Sequence, residues 1–351
     1  MARAPKPVEV EPDEELPVRA NPDLFGHHAA AAALEAAARS GRLPHAWLLC
    51  GPPGIGKATL GYRFGRWLLA GGTDRPPGPS PLHLDPADPV FRRIAAEAHA
   101  DLRVLRPVAD GRVNKEIRVD AVRAAIRFLA MTPAEGAWRF VLVDQAEQMR
   151  PEAANALLKT LEEPPPRAVL MLTTAAPDRL LPTIRSRCRR LELEPLGAAE
   201  MDTLLIRLRP ELSAGDRQRL SLMAEGAPGR ALQFAEGEGL ALQQLVDRVL
   251  AGLAAGERRE WHAIAEAVAT KRDGSSFATF MALLRREISA AARRAARAEG
   301  AQPAWLALRP LAEWSTLWDS LGRLAAETDG LSLDRKQAVL TALGWLTPPR
   351  R

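Results

Sequence analysis

The chain has 351 residues, 47% of them hydrophobic, with a formal net charge of +5 and a pI near 9.7, which allows roughly two or three domains with sizeable cores. Its only cysteines, Cys50 and Cys188, exclude a disulfide framework and a zinc site built from cysteine pairs, and no stretch reaches the roughly 18 apolar residues of a membrane span. Scarce aromatics beside abundant Ala, Leu and Arg favour helix-rich or α/β architecture, and the cysteine usage fits a reducing cytoplasm. The mildly basic balance suits a nucleic-acid partner or an ordinary Arg/Glu surface.

Residues 1–20 are acidic and proline-rich without an apolar h-region, and read as a flexible arm rather than a signal peptide. The run HAWLLC, 45–50, reads as a buried parallel strand. It leads into GPPGIGKAT, 51–59, and a helix over 57–70 with Leu60, Phe64, Trp67 and Leu68 as its apolar positions. Residues 71–89 hold six prolines and predict an irregular surface excursion. A second strand is expected at Leu102–Leu105 and a helix over 118–130, with Val119, Val122, Ile126 and Leu129 on one face. The run 139–144 predicts a third strand that ends in an acid. A helix over 151–163 starts on a proline and stops before three more. Strands at Ala168–Thr174 and 189–196 complete the set.

Alternating strands and helices predict an α/β domain with a parallel, doubly wound sheet over 21–197. Beyond it the strand signals stop. Residues 198–240 read as a small helical domain turning at GAPGR, 226–230. Residues 241–351 read as a second helical domain, broken at Gly256, 272–276, 299–303 and 328–332.

Three constellations carry chemistry. In the 51–59 loop, Gly51, Gly54 and Gly56 let the backbone approach a phosphate, and Pro52 and Ile55 complete the turn. Lys57 would reach the β/γ-phosphates, and Thr59 could touch the α-phosphate side. Ala58 stands where the pattern needs a Ser or Thr hydroxyl for Mg²⁺. The bland alternative is a glycine-rich turn with no ligand. Asp144, at the carboxyl edge of its strand, suits a Walker B aspartate or a helix N-cap. The next residue is Gln145, which cannot take a proton from water, and Glu147 is expected to point elsewhere. TIRSRCRR, 183–190, places four arginines in eight residues, as an arginine finger or a basic surface loop.

GPPGIGKAT, VLVDQAEQM, NALLKTLEEPP, TTAAPDRLLPTIRSRC and GAPGRAL together resemble the AAA+ clamp-loader subunits of bacterial DNA polymerase III, and among them the delta-prime type. The resemblance covers nearly the whole chain and is strongest over 45–60 and 118–235. It implies an AAA+ domain, a helical lid over 198–240 and a collar over 241–351. It carries the trans-acting finger onto Arg187, the sensor-1 region onto Thr174 and the sensor-2 arginine onto Arg230. It implies gamma/tau and delta subunits as partners, with the sliding clamp and primed DNA reached through the complex.

Two departures bear on cofactors. Many relatives carry a four-cysteine zinc module after the first helix; residues 71–89 contain no cysteine, and His83 and His99 read as surface histidines, so no zinc is expected. The loop is intact apart from Ala58, so it can still take ATP, with or without Mg²⁺, while turnover by this chain is expected to be negligible. The competing readings are an autonomous gamma/tau-type motor ATPase, which Ala58 and Gln145 disfavour, and a P-loop kinase or small-molecule transferase, which leaves Ser186–Cys188 and the helical lid without a role. Arg285, Arg286, Arg293, Arg294 and Arg297 read as a solvated helix face or as a contact to DNA or an acidic partner. Trp305, Trp314, Trp318 and Trp345 read as core or interface anchors.

Overall fold

The computed structural model describes residues 17–109, 115–271 and 274–347. Contacts divide the chain into two compact units, one of residues up to 108 with 116–196, the other of 109–115 with 197 onward.

The first unit is built on a five-stranded parallel sheet. Its strands are β1 (Ala46–Cys50), β2 (Leu102–Leu105), β3 (Arg139–Val143), β4 (Ala168–Thr174) and β5 (Arg189–Glu192), in the spatial order β2-β3-β4-β1-β5. All pairings are parallel, with Val143 opposite Leu172 and Cys50 opposite Thr174. Strands β1, β3 and β4 are buried at every position, as expected where both faces are covered by helices. Strand β5 is half as long as the expected strand over 189–196, and three of its four residues are exposed.

Helices α1 (His28–Arg39), α2 (Lys57–Leu69), α3 (Pro89–Ala95), α4 (Val119–Leu129), α5 (Pro151–Glu162) and the short α6 (Pro182–Arg185) surround the sheet. Side chains alternate across each strand, so each sheet face has its own core. Ala46, Leu48, Val141, Val143, Leu170 and Leu172 share one face with Val122 of α4 and Leu157 and Leu161 of α5. On α4, the expected face holds: Val122 and Leu129 are buried, and Val119 and Ile126 pack against the same core. The opposite face receives α2 at close range. A Cβ on Gly61 would lie 2.9 Å from a Leu142 methyl, and one on Gly65 would lie 3.0 Å from the Phe140 ring.

The proline-rich stretch is irregular, as expected, but it is packed rather than free. Leu82 and Leu84 are buried. Arg63 of α2, itself buried, donates to the carbonyl oxygens of Pro81 and Pro22 and to Ser80 Oγ at 2.7–3.0 Å. Arg39 of α1 donates to the Arg75 carbonyl at 2.8 Å, and Glu35 accepts from the Leu82 N–H at 2.9 Å. Prolines leave carbonyls with few backbone donors, and arginine forks supply them. The end of the expected arm, 1–20, is a packed turn. Residues 1–16 lie outside the described residues, while Val18–Ala20 form a 3-10 turn held by Arg66, which donates to the carbonyls of Arg19 and Asn21.

The second unit, among its described residues, is helical: α7 (Ala198–Leu208), α8 (Ala214–Ala224), α9 (Pro228–Glu236), α10 (Gly239–Ala255), α11 (Trp261–Ala269), α12 (Ser275–Ala296), α13 (Leu311–Gly330) and α14 (Arg335–Leu346). Its breaks follow the sequence. Pro228 opens α9, Gly256 closes α10 with φ +71°, and Gly274 precedes α12 with φ +76°. Residues 272–273 lie outside the described residues. Trp314 is buried, meets Trp305 edge to face at 5.1 Å and donates to the Leu306 carbonyl.

Most of the basic run on α12 is engaged inside this unit. Arg285 stacks on Trp318 at 4.0 Å and donates to its carbonyl, and Arg286 donates to Leu222 O and Gln243 Oε1. Arg293 donates to Ser289 Oγ and pairs with Glu225. Arg285 and Arg286 are therefore packing groups as well as charge, while Arg293 makes surface contacts only.

Candidate functional site

The 51–59 loop leaves β1 and enters α2 directly, so its N–H groups meet the positive end of a 13-residue helix. All three loop glycines have a backbone that favours glycine, Gly54 with φ +75°. Gly51 has φ +151° and a Cβ there would lie 2.7 Å from the Leu193 carbonyl oxygen, while Gly56 caps α2 with φ +106°. Pro52 and Gly54 are exposed, Ile55 is fully buried beneath them, and Ala58 and Thr59 sit half-buried in the first helical turn. His27, just before α1, donates from Nε2 to the Ile55 carbonyl at 2.8 Å and ties the loop to the preceding segment.

Lys57 is buried, and its ammonium donates to the carbonyls of Gly51 and Pro52 at 2.7 and 2.8 Å. Burial lowers its pKa, against the pull of Glu147 first and Asp144 second. The lysine thus sits inside its own loop with two carboxylates nearby.

Asp144 follows β3 directly. Thr173 Oγ1 donates to Asp144 Oδ1 at 2.6 Å and accepts from the Gln145 N–H at 3.0 Å. Asp144 is therefore held by a strand hydroxyl, not used as a helix cap. Gln145 is exposed with φ +56°, and the 3-10 turn Ala146–Gln148 follows it. That turn folds Glu147 back toward the sheet edge. Its Oε1 accepts from the Ala175 N–H at 3.0 Å, and its Oε2 is buried without a hydrogen bond. The sequence places Glu147 elsewhere; the structure puts it within electrostatic reach of Lys57.

Thr174 and Thr173 occupy opposite faces of β4. Thr174 is the acceptor for the Ala176 N–H at 3.1 Å and stabilises the turn after the strand. Thr173 lies on the same face as Met171, the face that receives α2, and is the hydroxyl that meets Asp144. The pleat decides between the two, and a pair of adjacent threonines hides that choice in sequence.

The arginine cluster spans α6 and the start of β5. Arg185 pairs with Asp178 at 2.8 Å, and Arg190 pairs with Glu192. Arg187 is exposed at the corner between them, 2.7 Å from Glu162 and donating to the Thr183 carbonyl at 3.1 Å. Ile184 and Cys188 on either side of it are buried in the sheet core. Neither cysteine is poised for chemistry: burial raises the Cys50 thiol and pushes Cys188 up to about 12. Arg230, at the start of α9 in the second unit, pairs with Glu225 at 3.6 Å and lies against the Phe234 ring.

His99 is buried rather than a surface residue. Its Nδ1 accepts from the Asp101 N–H at 3.1 Å, which leaves Nε2 protonated, buried and without a hydrogen bond. Burial lowers its pKa. Among the described residues no group of three His, Cys, Asp or Glu could hold a metal ion.

Residues 26–197 match the family model for "DNA polymerase III, delta subunit". The chain is 38% identical over 200 residues to the DNA polymerase III subunit delta' of Pseudomonas aeruginosa, covering 57% of this chain and 58% of that protein. Over residues 26–197 the chain is similar to DNA polymerase III delta-type subunits. A second delta-prime relative, from Escherichia coli, is 33% identical over 221 residues, 62% of each chain. The chain thus spans about three fifths of the length of these delta-prime relatives. DNA polymerase III subunit tau of Escherichia coli is 29% identical over 208 residues, 59% of this chain and 30% of that protein. The matched family segment contains the phosphate loop, Asp144, Thr173 and Arg187, and ends at the close of the first unit.

Proposed function

We propose that the chain is a delta-prime-type AAA+ subunit of the DNA polymerase III clamp loader, acting in the cytoplasm. It offers Arg187 to ATP held by a neighbouring gamma/tau-type subunit and so supports ATP-driven loading of the sliding clamp on primed DNA. Residues 198–240 serve as the lid, with Arg230 as its sensor-2 arginine, and 241–351 as the collar that joins gamma/tau and delta subunits. The supporting observation is a contrast within one unit. Arg187 stands exposed on a backbone fixed by Ile184 and Cys188, while this chain's own loop has no hydroxyl at Ala58 and an outward Gln145 after Asp144.

The loop's residues still fit a nucleotide. The α2 N-terminus and Lys57 suit phosphate oxygens, and Asp144 suits a hydrated Mg²⁺. Bound ATP would supply a polyphosphate for these groups; with a methyl at Ala58 in place of a hydroxyl and an amide at Gln145 in place of a carboxylate, its hydrolysis there lacks two helpers. A gamma/tau-type motor needs both.

The isolated chain is expected to bind ATP with negligible turnover; a rate rivalling the complete loader would overturn the assignment. The test is co-purification with gamma/tau and delta subunits, followed by ATP turnover with and without Arg187→Ala. Metal analysis of the purified chain is expected to find no stoichiometric zinc, because residues 71–89 contain no cysteine. One zinc per chain would contradict this.

A further inference from the structure

The corner that carries Arg187 is closed by an ion pair to Glu162. Glu162 is the last residue of α5, and Arg187 lies just beyond α6. The Arg187 Nη2 is 2.7 Å from Glu162 Oε1, and its Nη1 donates to the Thr183 carbonyl at 3.1 Å. Leu157 and Leu161 on one side and Ile184 and Cys188 on the other bury the backbone supports of both residues in one core. The two side chains can move while their anchors cannot. A guanidinium edge offers its fork to one carboxylate or one phosphate at a time. The Glu162 contact and a phosphate contact are therefore alternatives.

We propose that Glu162 is a positioning residue that parks Arg187 within its own chain and releases it when the triphosphate of a neighbouring subunit arrives. This rests on the finger reading of Arg187. A polyphosphate carries more negative charge than one carboxylate, so it wins the exchange. Until then the parked arginine keeps its fork from other anions. The side chains are 35% and 52% exposed, so solvent screens the pair and its hold is modest.

The test uses the full chain in the reconstituted assembly, with Glu162→Gln, Glu162→Asp, Arg187→Ala and the Glu162→Gln/Arg187→Ala double variant. At low salt, Glu162→Gln is expected to raise kcat/KM for ATP by roughly two- to fivefold. Glu162→Asp should stay near the parent value. The gain should shrink as salt is raised and vanish when Arg187 is already alanine. Unchanged kcat/KM in Glu162→Gln, or the same gain without Arg187, would overturn the parking role. A double-mutant cycle on thermal stability of the lone chain separates this from failure of the finger reading. Coupling between Glu162 and Arg187 is expected there even without partners. No coupling overturns the parking role whatever Arg187→Ala does to turnover, whereas unchanged turnover in Arg187→Ala beside intact coupling overturns the finger and parking together.

Discussion

Asp101→Ala is expected to cost about 3–5 kcal/mol of stability, the largest loss of any single carboxylate in the first unit. Asp101 is fully buried at the start of β2. Its Oδ1 accepts from the Ala134 N–H at 2.7 Å, and its Oδ2 accepts from Glu135 and Gly136 at 2.8 and 3.3 Å. Arg139, also buried, lies 3.6 Å away. Alanine would leave the N–H groups of Ala134, Glu135 and Gly136 without their acceptor and the buried Arg139 with only the Thr132 carbonyl, and a buried cation that loses its carboxylate partner carries most of the cost. Asn keeps the shape and one acceptor oxygen, so Asp101→Asn should lose less. Urea or thermal unfolding of the full chain checks both, and a loss under about 1 kcal/mol for alanine would contradict the account.

The same carboxylate fixes a pH dependence. Burial alone would raise its pKa, but the three N–H bonds and Arg139 outweigh burial and hold it below the ordinary value. A depressed carboxylate contributes stability that is fully present above its unfolded pKa of about 3.9 and is lost as pH falls through the folded value. The stability gap between the parent and Asp101→Asn should therefore be constant near neutrality and close below about pH 4. A gap that widens in acid would contradict the sign.

Most of the sheet was legible because buried parallel strands are continuous apolar runs. AWLLC, RFVLV and AVLMLTT each announce a strand without alternation, and Leu102–Leu105 matches residue for residue. Helix α1 was not legible: its alanines carry no cap or proline, and its start rests on His27 in the left-handed region. The packing of residues 71–89 was hidden because it depends on Arg39, Glu35 and Arg63, which are remote in sequence.

The site divides the same way. Gly51, Gly56 and Lys57 were legible because a strand, a glycine loop and a helix in sequence fix their positions, and Asp144 because it ends the apolar run RFVLV. Thr173 was not, because adjacent threonines differ only by the pleat. Glu147 was not, because a 3-10 turn rather than chain separation decides where it points. His99 was misplaced because its burial follows from a bond to the Asp101 backbone.

Arg187→Ala is expected to have the largest functional effect. The guanidinium sits at the surface, so its loss should leave the core and the fold intact, with a stability change of about 1 kcal/mol or less. A finger supplied to a phosphate in trans contributes about 10³–10⁵ in rate, because it meets charge that develops in the transition state. The loss should fall on the one site that this subunit completes, and total turnover of a multi-site loader would hide part of it.

The most direct measurement therefore isolates that site. The loader is assembled with a single hydrolysis-competent gamma/tau-type subunit beside this chain, and single-turnover ATP cleavage is followed with the clamp and primed DNA present. Cleavage is predicted to fall by at least about 10³-fold with Arg187→Ala while ATP binding and assembly persist. Cleavage at the parent rate in an intact Arg187→Ala assembly would contradict the claim that this subunit works across an interface.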